Sequence, residues 1–352
     1  MNGSQKLVNC ACEIGRRGQM LSLALLTSLG LLLIANAPVS AQKAEPVTIK
    51  WGGTVSIELE TPLFVAMSQG YLAEQGLKLE NPMMGPGPNV RESLAAGDLD
   101  FGDVGTFTYI VGRAAGLRQR IVFEYYAKEI FSLYARSQLK NEVKTVADLK
   151  GRKIGVTALG SSTHMAALSF IHKAGLKDSD VTFLPLQSAD PATMMTALES
   201  GQIDALMTYE PISTFLLDRK TGYPLVDVEN PADHDKWVGK SASSMVLAVS
   251  EDMIAKRPDV IRRATAALKK ALAFIHSRTA SEVANATAKS FKVDPALMTK
   301  IIDRIKGNFS PDGSISRLGI DVEVALARGG GALKKPLSYS DMVDTQFAGS
   351  RN

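Results

Sequence analysis

The sequence predicts an α/β protein of two similar units, each a mostly parallel sheet with helices on its faces. Strand-like and helix-like segments alternate from Pro46 to about residue 210. The pattern Leu-x-x-Gly-x-(Leu/Ile)-Asp occurs at residues 94–100 and again at 198–204. The last third of the chain opens with a further strand and continues with helices, as expected if the chain returns to complete its first unit.

The first 41 residues have the pattern of a secretory signal peptide. Arg16 and Arg17 precede an apolar run from Met20 to Ala35, and small residues at positions 39 and 41 predict cleavage after Ala41. A single membrane anchor is the alternative, but the apolar run is short for a membrane span.

The composition excludes several classes of site. Both cysteines, Cys10 and Cys12, precede the apolar run, so the mature chain has no disulfide, thiol nucleophile or thiolate metal site. The leader has three basic residues and one acidic residue, so about half of the chain's formal charge of +4 remains after cleavage. A nearly neutral protein does not indicate a nucleic-acid partner.

The first unit has three predicted strands, at Pro46–Gly53, Leu77–Pro82 and Asp98–Gly105. Its first helix is predicted to begin with Thr61 as N-cap and Pro62 as first residue, because proline has no N–H to leave unpaired there. The second helix covers Asn89–Ala96, and Gly97 follows it in the position where left-handed caps prefer glycine.

The second unit repeats this order. Its first strand is predicted in the last part of the segment 145–156. The other two strands are predicted at 181–186 and at 202–207. The segment GSSTH, from Gly160 to His164, begins one helix, and Asp190 and Pro191 begin the next. We expect the GSSTH hydroxyls to cap their helix and to cradle a ligand in the same arrangement.

The last third predicts how the two units are joined. Residues 243–250 form a buried strand, Asp259–Ile275 form an amphipathic helix, and Asp294 caps a further helix. The prediction is two lobes with a hinge between them. Residues 42–136 with 243–352 form the first lobe, and residues 137–242 form the second.

Ligands of open α/β sheets bind beyond the carboxyl ends of the strands. This rule brings six loops together at one cleft between the lobes. They are residues 56–58 with Thr61, 85–89, 105–107, 160–164, 188–190 and 209–211. Several of them begin a helix, whose free N–H groups and positive dipole end suit a small ligand that carries oxygens.

Catalytic and metal-binding motifs are missing from the sequence. It has no Gly-x-Ser-x-Gly, no Gly-x-x-x-x-Gly-Lys-(Ser/Thr) and no His-Glu-x-x-His. Ser162 and His164 are neighbours, but nothing singles out an acid to orient the imidazole. His164 and His172 are too far apart along the helix to share one ion. We therefore expect no enzymatic activity, metal or cofactor.

Several candidate residues fit two interpretations. Tyr209 suits stacking on a ligand, and Glu210 suits either a ligand amine or hydroxyl, or a backbone N–H across the hinge. The side chain of Phe107 is predicted to lie either in the wall of the cleft or in the core. Asp100 and Asp204 hold equivalent positions in the two units, and we expect them to bond neighbouring loops.

Four segments together resemble one known family: TPLFVAMSQGYLAEQGLKLE, VRESLAAGDLDFGDVG, TVADLKGRKIGVTALGSSTHMAAL and TMMTALESGQIDALMTYEP. The family is the periplasmic substrate-binding proteins of nitrate, sulfonate and taurine ABC importers, whose superfamily includes thiamine-pyrimidine proteins. The resemblance extends roughly from residue 46 to residue 347. It implies the two-lobed type II fold of periplasmic binding proteins.

The same resemblance implies a function. A monomeric periplasmic protein would capture a small molecule, such as a sulfonate, nitrate or taurine, and deliver it to the permease of an ABC importer in the inner membrane. The alternatives are an enzyme on the same scaffold, such as a pyrimidine-precursor-related protein, and a ligand-sensing receptor domain. The cysteine-rich motif of the fungal pyrimidine-synthase relatives is absent.

The resemblance also implies the ligand contacts. Carried onto this sequence they are Ser56, Glu58, Gly87, Thr106, Gly160, Ser161, Ser162, Thr163, Tyr209 and Glu210. His164 is a further candidate that either faces the ligand or packs beside it. Tyr209 stands where the family most often has tryptophan, and these positions include no lysine or arginine. A ligand with an amine, or a neutral or aromatic one, is thus as consistent with the sequence as a simple anion.

Overall fold

The computed structural model describes residues 45–352, except Val55, Asn81, Pro82, Gly330 and Lys334. The predicted leader and its cleavage site lie outside the described residues. Within that part of the chain, no helix has both the length and the apolar character needed to cross a bilayer.

The described residues form short strands and longer helices in alternation. The strands are β1 (Val47–Ile49), β2 (Trp51–Gly53), β3 (Leu77–Leu79), β4 (Met83–Met84), β5 (Phe101–Gly105), β6 (Gln119–Tyr126), β7 (Ser132–Arg136), β8 (Lys153–Val156), β9 (Thr182–Pro185), β10 (Ala205–Thr208), β11 (Gly222–Val226), β12 (Met245–Ser250), β13 (Ile315–Ser316) and β14 (Ser350–Arg351). The α-helices are α1 (Ile57–Ser68), α2 (Tyr71–Glu74), α3 (Gly87–Ala96), α4 (Thr106–Ala114), α5 (Ser162–Lys173), α6 (Pro191–Glu199), α7 (Ile212–Asp218), α8 (Pro231–Trp237), α9 (Glu251–Lys256), α10 (Pro258–Ser277), α11 (Ala280–Phe291), α12 (Pro295–Ile305), α13 (Arg317–Gly329) and α14 (Tyr339–Met342).

Two five-stranded sheets have the same topology. The first has the order β4-β2-β5-β12-β6, and the second has the order β9-β8-β10-β7-β11. In each, the first three strands are parallel and the fourth strand is antiparallel to both of its neighbours. The predicted α/β class with two similar units is therefore confirmed.

The antiparallel strands are the places where the chain passes between the sheets. Strand β7 enters the second sheet directly after β6, and β12 returns to the first sheet after β11. The predicted lobe boundary after residue 136 is therefore too late, because Ser132–Arg136 pairs in the second sheet. The two crossing segments are residues 127–131 and 227–244.

The repeated motif has one structural role in both units. The carboxylate of Asp100 accepts the N–H of Lys50 at 2.9 Å, and that of Asp204 accepts the N–H of Lys153 at 3.0 Å. Each aspartate thereby holds the backbone at the start of the neighbouring parallel strand. The expectation that both aspartates bond neighbouring segments is confirmed.

Helix α1 begins earlier than the sequence predicts. Its N-cap is Ser56, whose Oγ accepts the N–H of Leu59 at 3.3 Å, and Pro62 lies inside the helix. Proline normally prefers the first turn, since it offers no N–H to the ladder. Here the extra turn before Pro62 is held from outside, because the N–H of Ile57 donates to the carbonyl of Glu210 at 3.0 Å.

A pair of carboxyls is buried inside the first sheet. Glu60 and Asp103 are both almost fully buried, and the indole N–H of Trp51 donates to Asp103 at 2.5 Å. Burial raises the pKa of Asp103 to about 7 and raises the pKa of Glu60 well above its usual range, where the adjacent Asp103 adds to the effect. Two carboxylates this close cannot both ionise easily, so the pair retains protons in the folded protein.

We expect this pair to make stability depend on pH. The folded-state pKa of Asp103 is raised, so from about pH 4 to pH 7 the folded state binds more protons than the unfolded state. The free energy of unfolding therefore falls as pH rises through that window. Asp103→Asn should make the fall between pH 5 and pH 7 shallower, by up to about 1.4 kcal/mol per pH unit for one proton.

Urea unfolding at pH 5, 6 and 7 measures this slope. The control is Asp98→Asn, which changes an exposed aspartate near the same strand and should leave the slope unchanged. Equal slopes for wild type and Asp103→Asn would show that Asp103 does not retain a proton in this pH range.

Candidate functional site

A small cavity lies between the two sheets, at the carboxyl ends of their parallel strands. Thr54, Gly105, Thr157 and Tyr209, which end or follow β2, β5, β8 and β10, all line it. Its volume is about 20 Å³, close to the least that holds one ordered water. The loops of the two sheets are thus in contact, and the protein is closed around this space.

Four helices begin at the cavity. Ser56 caps α1, Gly87 begins α3, Gly105 precedes α4 and Ser161 caps α5, and each of these residues lines the cavity. A helix N-terminus carries unpaired N–H groups and a partial positive charge. Four helix N-termini around one space favour an anionic group there, although several of their N–H groups already donate within the protein, among them those of Ile57, Thr106 and Thr108.

Three hydroxyls at the start of α5 form a closed set. Thr157 Oγ1, Ser161 Oγ and Thr163 Oγ1 lie 2.8–3.0 Å from one another. Ser161 Oγ also donates to the carbonyl of Ala158 at 2.7 Å and accepts the N–H of His164 at 3.3 Å. The GSSTH segment is therefore a cap and part of the cavity wall at once.

Ser162 makes the direct contact between the two sides. Its Oγ accepts the N–H of Thr108 at 3.3 Å and lies 3.2 Å from Thr108 Oγ1. A Cβ at Gly105 would overlap the side chain of Ser162. The absent side chain at residue 105 thus permits this degree of closure.

Glu58 and Glu210 connect the two sides rather than lining the cavity. Glu58 Oε1 accepts the N–H of Glu210 at 2.7 Å, and Ser56 donates to its other oxygen at 2.7 Å. The Glu210 carboxyl accepts from Thr214 Oγ1 at 3.0 Å and lies 3.5 Å from Arg304. The contact across the hinge is made by the N–H of Glu210, whereas its carboxyl accepts from Thr214 on the helix that follows it, so the predicted bond from that carboxyl to a backbone N–H across the hinge is not seen. Its role toward a ligand stays a prediction.

Both carboxyls have raised pKa values. Burial is the main cause for Glu58, whose pKa lies well above its usual range, and the Glu210 carboxyl raises it further. Burial also raises the pKa of Glu210, against the opposing effect of Arg304. In both cases burial works against the charged form of the carboxyl.

Three further predicted residues lie outside the cavity wall. His164 Nδ1 accepts the N–H of Gly160 at 3.1 Å, its ring packs against Phe183, and burial lowers its pKa. Gly160 has φ +76°, which favours glycine. The hydroxyl of Thr106 donates to the carbonyl of Ser243, and its N–H donates to Ser244 at 2.8 Å.

Six of the predicted residues line the cavity, and five do not. Those in the wall are Ser56, Gly87, Ser161, Ser162, Thr163 and Tyr209. Those outside it are Glu58, Thr106, Gly160, His164 and Glu210. Phe107 is buried outside the wall and belongs to the core. The phenol of Tyr209 donates to the carbonyl of Ala189 at 2.9 Å, so its ring is fixed in place.

Several residues of the cavity wall are not among those predicted from the sequence. Thr157 directly follows a parallel strand and could have been found by the same rule as the others. Ile130 and Phe131 reach the cavity from the crossing segment, and Met245 reaches it from the returning strand β12. The local sequence gives no sign of these contacts.

Among the described residues, no group of three or more histidine, cysteine or acidic side chains is placed to hold a metal ion.

We expect Gly105→Ala to disfavour closure. Gly105 has φ −59°, which alanine adopts without strain, so only the overlap with Ser162 matters. Overpacking of this kind costs about 1–3 kcal/mol, and opening the lobes relieves it. Small-angle X-ray scattering should show a larger radius of gyration than for wild type.

Two further variants isolate the cause. The double variant Gly105→Ala with Ser162→Gly should recover the wild-type radius, because it removes the overlapping side chain. Gly85→Ala, where an added Cβ meets nothing within 4 Å, serves as the control. If all four proteins scatter alike, Ser162 does not limit closure.

Comparison with known proteins agrees with this architecture. A family model described as NMT1/THI5 like matches residues 60–281. A protein of Brucella abortus (strain 2308), named as a binding protein, is 30% identical over 278 residues, 78% of each chain. One of Bacillus subtilis (strain 168), named as an aliphatic sulfonates-binding protein, is 34% identical over 158 residues, 43% of this chain and 45% of its own.

Solved structures share the fold. The alkanesulfonate-binding protein SsuA from Xanthomonas axonopodis pv. citri, bound to MOPS, superposes with a TM-score of 0.68 at 22% identity, covering 86% of this chain and 99% of its own. The desulfurization enzyme DSZB does so with a TM-score of 0.60 at 17% identity, covering 86% and 97%. These findings confirm the predicted family resemblance and the fold class of periplasmic binding proteins. The chain belongs to the NMT1/THI5-like family.

Proposed function

We propose that this protein is the solute-binding component of an ABC importer and that it captures a small organic oxyanion of the sulfonate class. Its family and its relatives named as binding proteins support the general role. The partly matching relative named for aliphatic sulfonates and the fold shared with an alkanesulfonate-binding protein support the ligand class. The predicted leader supports a periplasmic location, where the permease of the importer would be the partner.

The cavity lining is the observation that carries this proposal. Hydroxyls and helix N-termini line part of it, apolar side chains such as Leu59, Phe131 and Met245 line the rest, and among the described residues no lysine, arginine or histidine lines it. N–H groups and hydroxyls donate hydrogen bonds to anionic oxygens, and the helix dipoles add a favourable potential. An oxyanion fits this donor set, whereas an amine would meet donors in place of acceptors.

Closure is the mechanism by which binding is signalled. In an open form the ligand binds to the N-termini on one side, and closure then brings the N-termini of the other side onto it. That closure is less complete than the one described above, whose cavity of about 20 Å³ admits little more than one water. The ligand shifts the population toward the closed form because only that form supplies both sets of donors. The closed form is the one that a permease would recognise.

The same geometry favours binding over catalysis. A serine nucleophile needs a base within hydrogen-bond reach. The Nδ1 of His164 instead accepts the N–H of Gly160, and the hydroxyls beside it bond one another. The cavity wall therefore has no arrangement that activates a hydroxyl.

We expect methanesulfonate and butanesulfonate to raise the melting temperature. At a hundredfold excess over Kd, mass action adds about 2.7 kcal/mol, which corresponds to roughly 5 °C for a protein of this size. Differential scanning fluorimetry measures the shift, and NMR of the same samples should show the ligand unchanged. A screen of sulfonates, nitrate, carboxylates and pyrimidines that leaves the melting temperature unmoved would contradict binding in this cavity.

Ser162→Ala should weaken sulfonate binding. It removes one hydroxyl donor to a charged group, a loss of about ten- to hundredfold in affinity, which isothermal titration calorimetry detects. Ser169→Ala, on the same helix but outside the cavity wall, should bind like wild type. Equal affinities for both variants would remove Ser162 from the site.

A further inference from the structure

Helix α13 connects parts of the molecule that belong to both sheets. It packs against α4, which follows β5 of the first sheet, and against α5, which follows β8 of the second. Just before its start, the N–H of Ser316 donates to the Glu124 carboxyl on β6 at 3.1 Å. Gly319 lies so close to residues 242–243 of a crossing segment that an added Cβ would approach them to 2.9 Å. The start of α13 is therefore fixed to the first sheet and to a crossing segment.

The end of α13 is held from the second unit by a histidine. The ring of His172, in the last turn of α5, has Nδ1 3.1 Å from the carbonyl oxygen of Gly329 and Nε2 2.5 Å from a carboxyl oxygen of Asp178. Gly329 is the last residue of α13, and the last carbonyls of a helix have no partner within it. We call this contact of His172 with Gly329 and Asp178 the clasp.

Both partners of the imidazole ring are hydrogen-bond acceptors. A ring with one proton donates from one nitrogen and presents a lone pair at the other, so it satisfies only one of the two partners. The doubly protonated ring donates to both. Its positive charge also lies at the C-terminal ends of α5 and α13, where the helix dipole favours a cation. The geometry of the clasp therefore suits the charged form of His172.

Asp178 is the charged group that bonds this ring. Burial lowers the pKa of His164, the other histidine of α5, against the opposing effect of the same Asp178. The other charged groups that the structure describes on α5, on Lys177 and on the elements packed against α5 bond different partners or are exposed. Those with other partners are Arg113, Asp148, Lys173, Asp180, Arg317 and Glu323. Those that are exposed are Lys177, Asp321 and Arg328.

We infer that the clasp is a proton-dependent contact that favours the closed form more at pH 5.5 than at pH 8. Imidazole gains and loses its second proton between about pH 5 and pH 8. Because α13 is fixed to the first sheet, an opening that moves α5 away from α4 also moves it away from Gly329. The closed form then binds the second proton more tightly than the open form, so a fall in pH shifts the population toward closure.

The inference has a structural part and a functional part. The effect of pH on closure stands on the contacts of α13 and α5 alone. Its effect on ligand affinity rests on the proposed function, since it takes the closed form as the one that binds a sulfonate on both sides. The two parts therefore need separate measurements.

Distances between two spin labels measure closure without a ligand. Both cysteines of the chain precede the predicted cleavage site, so Ser200→Cys and Ser281→Cys would place the two labels uniquely. Ser200 is exposed at the end of α6 in the second unit, and Ser281 is exposed on α11, which packs against α1. Double electron–electron resonance should show a closed-to-open ratio about two- to fivefold higher at pH 5.5 than at pH 8, the size expected for a partly exposed ion pair.

Two variants of the labelled protein isolate the proton. His172→Ala removes the clasp, so the ratio at pH 5.5 should fall to about the wild-type value at pH 8. Asp178→Asn offers an amide N–H to Nε2, so a ring with one proton satisfies both partners, and the ratio should become equal at the two pH values. Asp303→Asn changes an exposed aspartate on α12 and should behave like wild type.

Calorimetric titration with methanesulfonate at the same two pH values tests the functional part. Wild type should bind about two- to fivefold more tightly at pH 5.5, and His172→Ala should show no such difference, because the sulfonate stays ionised throughout. Label distances that do not change with pH, or that change equally in His172→Ala or in Asp178→Asn, overturn the clasp. Sulfonate binding that is independent of pH overturns its effect on affinity and leaves the proposed function standing. Distances that respond as expected while no sulfonate binds support the clasp and contradict the proposed function.

Discussion

The contact of Ser162 with Gly105 and Thr108 limits how near the two sheets come to each other. It brings the N-terminus of α5 against the N-terminus of α4, two partly positive ends that repel unless oxygens lie between them. The hydroxyls of Ser162 and Thr108 provide such oxygens here. An oxyanion between the same ends would provide more negative charge, and this is the physical reason why ligand binding and closure are expected to be coupled.

Buried carboxyls position the walls of the cavity from behind. The carboxyl of Glu129 accepts the N–H groups of Ile130 and Phe131 at 2.8 and 3.1 Å, and both of those residues line the cavity. Burial raises the pKa of Glu129 to about 7. The N–H of Glu129 donates to His234 Nε2 at 3.1 Å, which ties one crossing segment to the other. Glu229, whose pKa burial raises to about 8, accepts from Tyr126 and from Asn308 in the same region.

Much of this architecture was predictable because it depends on local signals. The paired motifs gave two equivalent sheets, and the roles of Asp100 and Asp204 followed from their equivalence. The caps at Asp190 and Asp294 were correct for the same reason, since their side chains bond N–H groups within three residues. The carboxyl-end rule also brought together seven of the wall residues: Ser56, Gly87, Gly105, Ser161, Ser162, Thr163 and Tyr209.

The remaining features depend on contacts between segments far apart in sequence. The start of α1 ahead of Pro62 needs the carbonyl of Glu210, which the sequence cannot place beside Ile57. The sequence predicts Glu58 as a ligand contact, but in the structure its Oε1 accepts the N–H of Glu210. The assignment of Ser132–Arg136 to the second sheet likewise follows from strand pairing. In the first two cases the deciding partner lies on the other side of the cleft, and in the third it lies about 70 residues later in the sequence.

The crystal structure of the protein with butanesulfonate tests the central claim most directly: closure builds an oxyanion site from hydroxyls and helix N-termini alone. The account predicts sulfonate oxygens within about 3.2 Å of the hydroxyls or N–H groups at the starts of α1 and α5. It also predicts no lysine or arginine nitrogen within about 4 Å of them. A sulfonate bound outside this cavity, or held there by a basic side chain, would contradict it.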